Sequence, residues 1–248
     1  MTSENEVIAS RDNRWVRRLR RALDLHQEEI VLEGPKQVRD AIRLGWTPLA
    51  VAVTEEGPQV EAPGAHSLRL TSKVMKNLTD TVHSQRVLGL FRRPSSEVAS
   101  LFRAGNLLVA LDGVQDPGNV GTVVRLAAAF EIAGVIVLPG TADPYAPKAI
   151  RASAGTILQT PVAAVSREEL IERTAESGFE IVAAEGGADG RFEPPESNAV
   201  FVFGSEGRGI SVEIRDHARP LSIPISSRVE SLNVAAAAAI ILFEARKR

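Results

Sequence analysis

The chain has 248 residues, enough for one large domain or two small ones, and its 44% hydrophobic content can fill a core. It contains no Cys, which excludes a disulfide framework, thiolate zinc sites and a Cys nucleophile, and its four His (His26, His66, His83, His217) lack metal-ligand spacing. One Tyr and two Trp argue against a base-stacking platform. No apolar run approaches the roughly 18 residues of a membrane span, and the first residues lack a signal-peptide profile, so a cytoplasmic protein without metal or membrane attachment is expected.

The net charge of −2 is unevenly spread. Residues 1–103 hold 16 Lys+Arg against 13 Asp+Glu, so the remainder is acidic. Six arginines fall between Arg11 and Arg21, in a segment predicted to be helical from about Asn13 to Leu25. Such density attracts polyanions, because each phosphate contact releases condensed counterions. The plainer reading is a solvated helix face with Trp15, Val16 and Leu19 turned inward, and the two are compatible.

Strands are expected at Glu29–Glu33, Leu49–Thr54, Ser67–Leu70 and Val87–Phe91. Helices are expected from Gly34-Pro35 and over Ser72–Leu78, with Thr54–Gly64 as a loop. Residues 1–94 thus read as a small α/β domain and residues 95–106 as a linker. Residues 107–248 read as a second domain with apolar strands at Leu107–Leu111, Val135–Leu138, Val162–Val165, Glu180–Ala184, Val200–Phe203 and Leu221–Ile225. Apolar strands alternating with helices predict an α/β fold on a parallel sheet, whose ligands bind beyond the strand C-termini.

Three loops at that edge are unusual. The first, Asp112 to Arg125, follows a buried strand and opens a helix; Asn119 reads as its N-cap, Gly121 as a point of close backbone approach. It matches neither dinucleotide nor phosphate-loop fingerprints, and alone it could be only a capped helix with a surface Arg. The second, Gly204-Ser205-Glu206-Gly207-Arg208-Gly209, places three glycines around a carboxylate, which implies a nearby ligand or positive φ. The third runs Ile223-Pro224-Ile225-Ser226-Ser227-Arg228-Val229-Glu230-Ser231-Leu232-Asn233-Val234-Ala235, a strand and turn feeding an alanine-rich helix that opens on Ser231 and Asn233. A helix start with unpaired N–H groups suits a ligand.

Asn-x-Gly-x-x-x-Arg, Gly-Ser-Glu-Gly-x-Gly and Ile-Pro-Ile…Glu-Ser-Leu-Asn-Val-Ala together resemble the three motifs of the SpoU/TrmH class of RNA 2′-O-methyltransferases. The stretch Pro147 to Gly155 also resembles a family segment. Residues 1–94, with Asn13…Leu25, Val31-Leu32-Glu33-Gly34 and Leu78-Thr79-Asp80-Thr81, resemble the L30e-like substrate-binding domain of rRNA-directed members. Ser226-Ser227 depart from the pattern where Gly is frequent.

The resemblance implies a deep trefoil knot in the C-terminal domain, a homodimer formed through it, and S-adenosylmethionine as cofactor. Backbone groups of Gly204, Ile223 and Leu232 would hold the cofactor, between walls of Leu221, Ile223 and Val234. Arg125 would be the central catalytic group, with Asn119, Glu206, Ser231 and Asn233 in the same network. A guanidinium stays protonated, so Arg125 suits stabilisation of a developing alkoxide better than proton abstraction. Arg14, Arg17, Arg18 and Arg21 would grip RNA, joined by Lys148 and Arg151. For the last two, a solvated helix residue and an ion-pair partner remain the plainer readings. The function implied is methyl transfer to a ribose 2′-OH of 23S-type rRNA. A tRNA substrate, or a non-catalytic RNA-binding or ribosome-assembly role, are the alternatives.

Overall fold

Asn13 accepts a hydrogen bond from Trp15 N at 2.9 Å and so starts α1 (Arg14–Leu25), whose Trp15, Val16, Leu19 and Ala22 are buried while its arginines face outward. The computed structural model describes residues 7–79, 85–185, 195 and 198–246. Asp80, Thr81 and His83 therefore lie outside the described residues. The chain divides into two units, one up to Pro94 with Tyr145–Pro147, the other from Ser95 to Pro144 and from Lys148 onward.

In the first unit α1 is joined by β1 (Val7–Ile8), β2 (Glu29–Glu33), α2 (Pro35–Arg43), β3 (Pro48–Thr54), β4 (His66–Leu70), α3 (Ser72–Leu78) and β5 (Val87–Arg92). The sheet order is β1-β4-β3-β5-β2, with β1, β4 and β3 parallel and β5 antiparallel to both β3 and β2. Leu68 and Leu70 on β4 meet Trp15 and Leu19 of α1 in one apolar cluster. Burial of one stripe of α1 is what leaves its arginines outside.

The second unit contains α4 (Val98–Ala104), β6 (Leu107–Asp112), α5 (Pro117–Ala129), β7 (Val135–Val137), α6 (Pro147–Ala152), β8 (Val162–Ala164), α7 (Arg167–Ser177), β9 (Glu180–Glu185), β10 (Ala199–Gly204), α8 (Val212–Arg215), β11 (Arg219–Ser222) and α9 (Val234–Arg246). The sheet order is β11-β9-β10-β6-β7-β8, and every pairing is parallel. Leu108 and Ala110 of β6 belong to one core cluster, while Val109 and Leu111, on its opposite face, are equally buried. Covering on both faces is what a continuous apolar parallel strand requires. No helix among the described residues is long and apolar enough to cross a membrane.

Three sequence expectations need correction. Residues 95–106 are not a bare linker: α4 buries Leu101, and Phe102 meets Phe179 edge-on at 4.9 Å. The last strand ends at Ser222 rather than Ile225, because Pro224 has no N–H to give to a ladder. Asn119 is not the cap of α5: Asp116 accepts from Gly118 N at 2.9 Å with Pro117 at the first helical position, which leaves the Asn119 side chain for other partners.

Candidate active site

Because the second sheet is wholly parallel, β6, β9, β10 and β11 all end at one edge. The ends of β9, β10 and β11, the turn after β10 and the segment leading into α9 line a cavity of about 350 Å³ there. Gly204, Glu206, Ile223, Ser231 and Leu232 all line it, as do Leu221 and Val234. Glu185, Arg215 and Ile225 complete parts of the wall without having been singled out from the sequence. Among the described residues the peptide groups of Ile223 and Leu232 make no backbone hydrogen bond, so both can serve a ligand.

At this edge a directed hydrogen-bond chain links the three motifs. Asn233 caps α9: its Oδ1 accepts from Ala235 N at 3.0 Å and Ala236 N at 3.3 Å. With that oxygen committed, Asn233 Nδ2 points away from the helix and donates to Asn119 Oδ1 at 3.2 Å. Asn119 Nδ2 in turn donates to Glu206 Oε1 at 2.5 Å. The helix start thus fixes the orientation of both amides, and Glu206 ends the chain as acceptor. Asn119 and Asn233 are 114 residues apart, so only the fold brings them together. Ser231 lies before α9 in an exposed position on the cavity wall.

The loops are held from beneath. Asp112, at the end of β6, has a side chain only 1% exposed. Its Oδ1 accepts from Arg167 Nε at 2.9 Å and Nη2 at 2.6 Å, and its Oδ2 from Ser211 N at 2.8 Å. Gly204 is required by close packing: a Cβ there would lie 2.3 Å from the Gly209 carbonyl carbon. Ser205 and Gly209 close the turn by exchanging backbone hydrogen bonds at 3.1 and 2.9 Å, and Gly209 has φ +69°. Gly207 meets nothing within 4 Å, so its lack of a side chain has no packing cause. Gly121 does allow a close approach, since a Cβ there would lie 2.1 Å from Ala149 O on α6.

Gly204→Ala is expected to push the 205–210 turn away from β10. The cost should be about 1–3 kcal/mol, the usual range for overpacking, read as a lowered melting temperature together with loss of ligand binding at the cavity. Wild-type melting and binding would show that the turn accommodates a side chain.

The remaining predicted residues lie apart from this chain. Arg125 is exposed on α5 and makes no hydrogen bond or ion pair among the described residues, so it does not touch Asn119 here. Lys148 is exposed but not merely solvated: its Nζ donates to Asp116 Oδ1 at 2.5 Å. That bond, seconded by Gly118 N, holds the Asp116 carboxyl below its ordinary pKa. Arg151 is exposed without an ion-pair partner among the described residues. In the first unit Arg14, Arg17 and Arg21 are exposed, whereas Arg18 is held by Glu29, its Nε 3.0 and 3.1 Å from the two carboxylate oxygens. The guanidiniums of Arg14 and Arg18 also lie 5.7 and 5.1 Å from the Trp15 ring centroid.

Parallel sheet, glycine turn, capped alanine helix and Asn–Asn–Glu chain together define a class. Residues 106–243 match the SpoU rRNA methylase family, and the chain belongs to that family. It is an RNA methyltransferase by that membership. The chain is similar to the AdoMet-bound rRNA methyltransferase from Sinorhizobium meliloti, with 31% identity, a TM-score of 0.88, and coverage of 99% of this chain and 98% of that one. It is 29% identical to a Synechocystis sp. protein named as an uncharacterized tRNA/rRNA methyltransferase, across 100% of this chain and 96% of the relative. It is 26% identical to the 23S rRNA (guanosine(2553)-2′-O)-methyltransferase RlmP of Bacillus subtilis, over 87% of this chain and 88% of that protein.

Proposed function

We propose that the chain transfers the methyl group of S-adenosylmethionine to a ribose 2′-hydroxyl in 23S-type rRNA. The observation that carries this reading is that the second and third motifs line one cavity while the first is joined to both through the Asn233–Asn119–Glu206 hydrogen-bond chain. The site fits the cofactor. Its volume lies at the lower end of the roughly 300–1,000 Å³ usual for small-molecule pockets, its Leu221, Ile225 and Val234 walls suit a flat base, and the Ile223 and Leu232 peptide groups are free to pair with one. S-adenosylmethionine is also the cofactor named in the Sinorhizobium meliloti structure.

Bound S-adenosylmethionine supplies a methyl group already activated by its sulfonium. The chain's own work is to align the hydroxyl for in-line attack and to favour loss of its proton. Asn119 and Glu206, locked by the α9 cap, present fixed polar groups to the incoming ribose. Arg125 stabilises the developing alkoxide or a neighbouring phosphate. Its lack of a partner among the described residues agrees with its acting beside the site of a second copy. Ile240 and Phe243 support such a homodimer, being 40% and 49% exposed on α9. The same reading gives the second unit a trefoil knot, the first an L30e-like fold, and the protein a cytoplasmic location.

The exposed arginines of α1 are assigned to the RNA backbone. Changing Arg14, Arg17 and Arg21 together to Glu is expected to weaken rRNA binding and flatten its salt dependence. The slope of log affinity against log salt should fall by about 2, at about 0.7–0.9 for each phosphate no longer neutralised, with cofactor affinity untouched. An unchanged slope would remove α1 from the RNA interface. The function itself is tested by mapping ribose methylation in rRNA and tRNA from cells lacking the protein, with radiolabelled transfer by the purified chain. A lost mark confined to tRNA would reassign the substrate. No transfer and no cofactor binding would favour an assembly role.

A further inference from the structure

β9 and β10 are parallel neighbours, paired from Glu180↔Ala199 to Ala184↔Phe203. One ends in the glycine turn beginning at Gly204, the other in Glu185, and both residues line the cavity. Adjacent strands run about 4.8 Å apart, so the two strand ends flank one ligand. In nucleotide-binding parallel sheets the same division of labour recurs. There a glycine turn after one strand lets the ligand approach the backbone and an acidic residue at the end of a neighbouring strand takes the ribose hydroxyls; here the chain order is reversed, Glu185 preceding Gly204.

The surroundings of Glu185 favour an acceptor role. Arg215 Nε lies 2.9 Å from Glu185 Oε1, and Arg215 Nη2 donates to Ile210 O at 3.1 Å, which ties the guanidinium to the glycine loop. The ion pair is close but poorly aligned: Oε1 is shut off from water and has no hydrogen bond of normal geometry among the described residues. Oε1 is thus spent on the guanidinium, whereas Oε2 is not shut off and the side chain as a whole is 32% exposed, so Oε2 is the acceptor open to a ligand. A carboxylate already beside a guanidinium has less pull on a cation than on a neutral hydroxyl donor, and the open oxygen has two lone pairs for two vicinal hydroxyls.

We infer that Glu185 recognises the ribose of the cofactor, its carboxylate accepting hydrogen bonds from the 2′,3′-diol while Arg215 holds it against the glycine loop. The inference rests on the S-adenosylmethionine reading above. Binding of S-adenosylhomocysteine and of its 2′,3′-dideoxy analogue to the full chain, measured by calorimetry, separates the two. The wild-type protein should bind the dideoxy compound about 10- to 100-fold more weakly, the range for hydrogen bonds to a charged group. In Glu185→Ala that preference should collapse to within about twofold. A variant that keeps the wild-type preference overturns the assignment. Should Glu185→Ala not fold, Glu185→Gln serves instead, and a preference in it equal to wild type likewise overturns the assignment. Failure of the wild type to bind S-adenosylhomocysteine would instead bring down the cofactor reading itself.

Discussion

Replacing Arg125 with Ala is expected to lower the rate of methyl transfer by about 10³-fold while leaving cofactor affinity within about twofold. The magnitude follows from removal of a positioned charge from a developing oxyanion, which typically costs 10²–10³ in kcat. The split between rate and binding follows from the structure. Arg125 is exposed on α5 and does not line the cavity, so it has nothing to give the cofactor. It also supports no other described residue through a hydrogen bond or ion pair, so its loss should not be structural. Arg125→Lys should recover little, because an ammonium cannot reproduce the planar fork that meets alkoxide and phosphate together. Single-turnover transfer at saturating cofactor reads the first effect and calorimetry the second. Wild-type turnover in Arg125→Ala would sink the catalytic assignment, and a matched fall in cofactor affinity would move Arg125 into the cofactor site.

The contrast between Arg125 and Asn119 shows what the sequence could and could not carry. Both belong to one motif, and residue spacing alone grouped them. Six residues on an α-helix correspond to about 600°, so the two leave α5 in directions roughly 120° apart. Asn119 therefore reaches Glu206 and Asn233 while Arg125 faces away. The cap of α5 was open to a better reading: Asp116-Pro117 is a stronger helix start than Asn119, since Pro fits the first turn and Asp accepts from Gly118 N. Strand positions in the second unit were legible because fully buried parallel strands are continuously apolar, as in Leu107–Asp112 and Ala199–Gly204. Helix α4 was hidden by its seven-residue length between Pro94-Ser95-Ser96 and Gly105. Glu185 and Arg215 gave no signal, because a Glu at a strand end and an Arg on a short helix are ordinary until the fold places them on one cavity. Partners separated by 55 residues, such as Asp112 and Arg167, leave no trace in local periodicity.

That last pair carries the largest expected effect on stability. Asp112→Ala should destabilise the second unit by about 3 kcal/mol, at the lower end of the range for breaking a buried ion pair. The carboxylate neutralises Arg167 and also takes the Ser211 N–H, so its removal leaves a charge and a donor unmet. The figure stays at the lower end because the Arg167 side chain is 23% exposed and its Nη2 keeps a bond to Pro139 O at 2.9 Å. Asp112→Asn should cost less but remain harmful, since the amide nitrogen must face one of two sets of donors. A chain with two units need not unfold in one step, so protection of the β6 and β10 amides against hydrogen exchange is the proper measure. About 3 kcal/mol corresponds to roughly a hundredfold loss of protection in those strands, with the first unit unaffected. Because Ser211 anchors the far end of the glycine turn, cofactor affinity should fall in Asp112→Ala even where the unit stays folded. Protection within a few-fold of wild type would show that Arg167 and Ser211 find water or other partners, and that the cavity loops do not depend on the β6 carboxylate.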